Sequence, residues 1–190
     1  MNSLLAQSHR IFSIALVEFG LIATDSFLTH PASNIALLLA TGIGASLPDI
    51  DQHNSKVSRK SPINFSMFLR HRGITHSLLG WIIFAVILYF LMNLLIPLKP
   101  IQLSPFVLPN IWGSLWLGLV IGYFLHLVED SFSKQGVQWL APFYKKKGRP
   151  PLYYKVGGPF EKFLAMMAYI AVIIMTVYWV WLMICPMPRA

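Results

Sequence analysis

The chain has 190 residues, of which 56% are hydrophobic and only 12% charged, with a net charge of +8. An ordinary soluble domain carries about 25% charged residues, so this composition excludes an average water-soluble globule and points to a membrane protein. The single cysteine, Cys185, excludes both a disulfide framework and a thiolate metal site.

The first apolar segment, Ile11–Leu28, is interrupted by Glu18 and Asp25 and lacks a convincing small-residue cleavage site. It is therefore expected to remain in the protein rather than act as a signal peptide. Glu18 and Asp25, seven apart, are expected on one face of it, and ionisable residues inside an apolar segment are functional candidates. Ile35–Leu47 is apolar but short, so the first two segments form a spanning hairpin or a re-entrant pair. Ser77–Leu98 and Phe163–Cys185 contain no charge and are long enough to cross about 30 Å of hydrocarbon as helices. Ile111–Val128 is a further candidate span with His126 near its end. The expected architecture is all-α: one domain over 1–190, a polytopic bundle of about five membrane segments.

Arg10, Lys56, Arg59, Lys60, Arg70, Arg72, Lys134, Lys145, Lys146, Lys147, Arg149, Lys155 and Lys162 all fall at one set of segment ends, and only Lys99 and Arg189 at the other. The positive-inside rule makes the first side cytoplasmic, with the N-terminus inside and the C-terminus outside. The loops thus account for the basic charge without nucleic acid, and "YKKKGR" (Tyr144 to Arg149) can also touch anionic head groups.

The chemistry-bearing residues gather on that same side. His9 precedes the first segment, and Asp49 and Asp51 in "LPDIDQH" follow the second. His71 and His76 in "RHRGITHSLLGW" precede the third, and His126 and Asp130 in "HLVEDSF" close the fourth. His126 and Asp130 are i and i+4 and share a helix face. Asp49 and Asp51 would point the same way if extended, and Gly73 lets the His71 loop fold back. Imidazole and carboxylate without thiolate suit zinc, manganese or iron(II). Seven ligands are too many for one four-coordinate ion, so two or three ions are expected. The bland alternative for each residue taken alone is a loop carboxylate or a helix-bridging imidazole. His30 falls at the opposite membrane face and is excluded. Glu161 begins the last helix, either as a favourable charge at its N-terminus or as a partner of Arg72 or a ligand imidazole.

The stretches "SHRIFSIA", "LPDID", "HRGITHSLL" and "HLVEDSFSKQGVQWLAPF" resemble the YdjM family of bacterial inner-membrane proteins, over His9 to about Glu161. "LPDID" alone is weak, but followed by "HRGxTHS" and "HxxxDxxxxxG" it forms a specific set. The resemblance implies metal-dependent hydrolase activity, metal roles for His9, Asp49, Asp51, His71, His76, His126 and Asp130, and a distant likeness to zinc-dependent phospholipase C and P1 nuclease. Two positions depart from the pattern. Gln52 stands where a histidine is frequent, which puts His53 in doubt as a ligand. Ser133 stands where threonine is frequent and keeps the hydroxyl.

The expected function is hydrolysis of a phosphoester in a lipid-linked substrate at the inner membrane. Asp49 or Asp51 is then the base, and Arg72 faces the phosphate with its planar fork. A proton-coupled transporter using Glu18, Asp25 and His126 is one alternative, weakened by the lack of an internal repeat. A non-catalytic scaffold acting through the basic loops is another.

Overall fold

The computed structural model describes residues 3–26, 28, 30–51, 74–100, 102–103, 106–107, 110–144, 146–148, 150–151 and 153–185. The described chain is all-helical apart from a two-residue antiparallel pairing, Gln102–Leu103 with Phe106–Val107, in the connection between two helices. The helices are α1 (Ser3–Ala23), α2 (Pro31–Gly44), α3 (Leu78–Leu95), α4 (Ile111–Ser131) and α5 (Pro159–Ile184). Two 3₁₀ turns, Pro48–Asp51 and Ile74–His76, follow α2 and precede α3. At 1.5 Å per residue, α3, α4 and α5 reach about 27, 31 and 39 Å, and α2 only about 21 Å.

Three of the five, α3, α4 and α5, are long and apolar enough to cross a bilayer. Helix α3 buries only Met92, and α5 only Glu161, Ala168 and Trp179. A helix that is apolar all round yet exposed on most of its surface has lipid as its natural solvent.

Local chemistry sets the ends. The Ser77 side chain accepts from the Gly80 N–H at 3.1 Å and caps α3. Asn110 caps α4 by accepting from the Gly113 N–H at 2.7 Å. Pro at the first turn opens both α2 and α5.

Side-chain partners show that consecutive helices reverse direction. Helix α3 runs antiparallel to α4 along three indole rungs. Trp81 Nε1 donates to the Val120 carbonyl (2.9 Å), Trp116 Nε1 to Ala85 (3.2 Å), and Trp112 Nε1 to Met92 and Ile96 (both 3.1 Å). Each rung supplies an acceptor to an N–H that lipid could not satisfy. Helices α2 and α4 run parallel in close contact. A Cβ on Gly118 would lie 2.5 Å from the Leu37 carbonyl oxygen, and one on Gly122 2.1 Å from that of Thr41. The "GLVIG" stretch therefore lets two backbones meet as in small-residue helix pairs of membranes. Helix α1 packs on α2, α4 and α5.

Two expectations are corrected here. Asp25 is not on the face of Glu18: α1 ends at Ala23, and Asp25 sits exposed in the following turn with φ +52°. Asp49 and Asp51 belong to a 3₁₀ turn rather than an extended segment.

Candidate metal centre

Five helix ends meet at one end of the bundle: the starts of α1, α3 and α5 and the ends of α2 and α4. His76 is held there by its own turn. A Cβ on Gly80 would come within 2.1 Å of the Ile74 carbonyl oxygen, so glycine is what allows the 3₁₀ turn to lie over the first turn of α3. Tyr123 of α4 pins that turn by donating its hydroxyl to the Thr75 carbonyl at 2.6 Å. His9, His76, His126 and Asp130 are all at most 6% exposed, and Asp49 is 8% exposed.

Each imidazole is fixed through Nδ1. His126 Nδ1 lies 2.8 Å from the Ala45 carbonyl, to which it donates, so its Nε2 carries the lone pair. His9 Nδ1 lies 2.6 Å from Glu129 Oε2, and His76 Nδ1 lies 3.3 Å from Thr75 Oγ1. Anchoring one ring nitrogen on a carbonyl or carboxylate while the other points at an ion is the usual arrangement of metal-bound histidine. The three rings are close: the His9 and His126 centroids are 4.4 Å apart and those of His76 and His126 5.5 Å.

The outward nitrogens converge on two carboxylates. His9 Nε2 is 3.7 Å from Asp130 Oδ1, and His76 Nε2 is 3.6 Å from Asp130 Oδ2. His126 Nε2 is 3.8 Å from both Asp49 Oδ1 and Asp130 Oδ2. Those distances are too long for N–H···O hydrogen bonds, which cluster near 2.9 Å. They lie near the separation of roughly 3.3–3.6 Å between two ligands of one tetrahedral ion bound at 2.0–2.2 Å. His126 Nε2 is buried with no hydrogen-bond partner among the described residues. A buried polar atom in that state calls for an explanation, and a cation ligated by its lone pair supplies one. Two groups, His9/His126/Asp130 and Asp49/His76/His126, each bring their ligand atoms within 4.8 Å of one another. The residues fit a divalent ion.

Burial by itself would lower the His9 pKa, but the hydrogen bond and charge of Glu129, with Asp130 and Asp49 behind it, raise it from 6.5 to about 9. Without a metal this imidazole therefore holds a proton.

The structure brings together His9, Asp49, His76, His126 and Asp130. His71 and Arg72 lie outside the described residues, as does the side chain of Asp51. His30 lies at the far end of the bundle, beside Asn110 and Trp112. Glu161 is buried with Oε1 accepting from Ser8 Oγ at 2.6 Å and Oε2 from the Gly157 N–H at 2.7 Å, which ties α5 to α1 and closes its own N-terminus. The carboxylate that holds one of these imidazoles among the described residues is instead Glu129, which also accepts from Ser13 at 3.1 Å. The sequence reading missed it, although three residues after His126 it shares the inward side of α4. Ser133 is fully buried, and its N–H closes α4 on the Asp130 carbonyl at 3.1 Å.

A family model described as YdjM inner membrane protein matches residues 4–187. The uncharacterized protein YvsG of Bacillus subtilis is 36% identical over 126 residues, 64% of this chain and 67% of that protein. The uncharacterized protein YfhP of the same organism is 30% identical over 141 residues, 73% of this chain but 37% of that longer protein. The inner membrane protein YdjM of Escherichia coli is 26% identical over 174 residues, 87% of this chain and 79% of that protein. No solved structure matches.

Proposed function

Because the chain belongs to the YdjM family of inner membrane proteins, we propose that it is a multi-pass inner-membrane hydrolase that uses divalent metal to cleave a phosphoester in a lipid-linked substrate. The observation that carries this reading is the convergence of three Nδ1-anchored histidines on Asp130 and Asp49 at one end of the bundle. Zinc suits a set of imidazole and carboxylate donors best, with manganese or iron(II) as weaker fits.

His76, His126 and Asp49, with Asp130 Oδ2, would hold one ion. His9, with Asp130 Oδ1 at 3.7 Å, would help to hold a second. His71 and Asp51 are the sequence candidates to complete that second sphere, and a third ion could also be held by them. A bound divalent ion supplies Lewis acidity and lowers the pKa of its water towards about 7. With that chemistry supplied, Asp51 or Asp49 would act as the base that accepts a proton from the attacking water, and the ester oxygen would leave protonated as the P–O bond breaks. Arg72 would grip the phosphate with two hydrogen bonds. The site faces the cytoplasm in this reading, since thirteen of the fifteen basic residues fall in the sequence at the segment ends on that side.

The test is to incubate the detergent-purified protein with phospholipids and polyprenyl phosphates, with and without chelator. Release of the phosphorylated product should require metal and be lost in His76→Ala. Turnover that survives both treatments refutes the mechanism. Wild-type function in His76→Ala cells would favour a scaffold.

A further inference from the structure

A cavity of about 590 Å³ opens between α1, α5 and the segment that follows α4. Five aromatic rings wall it: Phe12, Phe132, Tyr153, Tyr154 and Phe160. Glu129 and Glu161 also line it. Glu129 is the residue whose Oε2 holds His9 Nδ1 at 2.6 Å, so one carboxylate separates this cavity from the candidate metal centre. Of the lining rings, Phe132, Tyr153 and Phe160 are exposed. A belt of exposed aromatic side chains at one end of a bundle marks the head-group level of a bilayer.

The charge of this cavity decides what enters it. Its lining holds two glutamates, Glu129 tied to His9 and Ser13 and Glu161 tied to Ser8 and the Gly157 N–H, and no lysine or arginine that would pair with a phosphate. Aromatic faces carry negative potential and attract cations, most strongly quaternary and primary ammonium groups that have left bulk water. We propose that the cavity binds the ammonium group of a zwitterionic phospholipid. This rests on the hydrolytic reading above and names its substrate class. With the ammonium among the rings, the short arm of an ethanolamine-type head group turns its phosphate towards the end of the cavity nearest His9. The membrane supplies such a lipid at the depth of the aromatic belt. The basic loops by themselves would favour anionic lipid, so a preference for a zwitterionic one is a distinct signature.

The experiment is native mass spectrometry of the full-length protein, with and without chelator. It is offered phosphatidylethanolamine or phosphatidylglycerol of identical short chains, with diacylglycerol as competitor. Wild type should retain phosphatidylethanolamine over phosphatidylglycerol by on the order of tenfold, the sum of a few cation–π contacts. Tyr153→Leu with Phe160→Leu keeps apolar bulk at two side chains that are 50% and 59% exposed, and so leaves the fold in place. It should bind the two lipids equally. Equal retention by wild type, a preference for phosphatidylglycerol, or a preference unchanged in the double variant overturns the proposal. Competition by diacylglycerol as strong as by phosphatidylethanolamine overturns it too, and leaves a plain apolar groove. Retention is read without turnover, so failure to detect hydrolysis would strike the preceding reading and not this one.

Discussion

His9 is the residue whose state reports on the centre most directly. Its pKa near 9 is set by Glu129, Asp130 and Asp49 against the opposing effect of burial. A metal must displace that proton, so ion uptake releases it and affinity rises with pH up to about 9. Zinc titrations in buffers of different ionisation enthalpy, at pH 7 and pH 9.5, should show proton release at the lower pH and less at the higher. The sign for stability is the reverse. Without metal, the stability that His9 gains from its partners is present below its unfolded pKa of 6.5 and lost as pH rises through about 9, while burial raises the Glu129 pKa and removes that carboxylate's charge as the solution is made acid. Glu129→Gln should weaken metal affinity about 10–100-fold while the other ligands remain, as measured by competition with a chromogenic chelator. The gathering of His9, Asp49, His76, His126 and Asp130 was legible because they share a depth and their residue types share a chemistry. Glu129 was not, because spacing alone does not tell which of two adjacent carboxylates meets the imidazole. Asp25 was misread because a period of seven means one face only while the helix continues, and α1 stops two residues earlier.

At the scale of elements, the uncharged runs that became α3 and α5 could be read from composition, since nothing but a lipid-facing helix accommodates them. Their starts are set by caps: α5 begins at Pro159 after Gly158, ahead of the apolar run at Phe163. What composition does not reveal is how α2 and α4 approach. The small residues Ser114, Gly118 and Gly122 lie four apart, and the same stripe continues through His126 to Asp130. Close contact at Gly122 is what brings the Ala45 carbonyl onto His126 Nδ1. Gly122→Ala should force the backbones apart, cost about 1–3 kcal/mol as overpacking does, and reduce metal content with it. Gly20→Ala, where an added Cβ meets nothing within 4 Å, is the control. It should leave metal content unchanged and stabilise by up to about 1 kcal/mol through helix propensity. Thermal unfolding in detergent together with elemental analysis separates the two outcomes.

For the whole molecule, alternation of helix direction follows from the placement of basic residues, because a loop on the wrong side would carry lysines across the membrane. The tertiary gathering of His9 with Asp130 follows from no local rule. It requires that helices one, two and four pack as a unit, which the close contact of α2 and α4 and the packing of α1 on both bring about. Orientation is tested on a Cys185→Ser background with single cysteines at Ser58 and Ser104. Membrane-impermeant maleimide applied to intact cells should label the cysteine at 104 and spare the one at 58 until the cells are opened. Labelling of both from one side refutes the arrangement.

The hydrogen bond between His9 and Glu129 joins residues 120 apart in the chain. On a ribosome adding 5–20 residues per second, roughly 6–24 s separate the two. Through that interval His9 is an ordinary imidazole at the start of a nascent hairpin, with neither the carboxylate that orients it nor the partners that would hold an ion. If the proposed centre takes metal, its loading belongs to a late stage of biogenesis, after α4 has entered the membrane, and would draw on whichever ion the compartment on that side offers to a finished bundle.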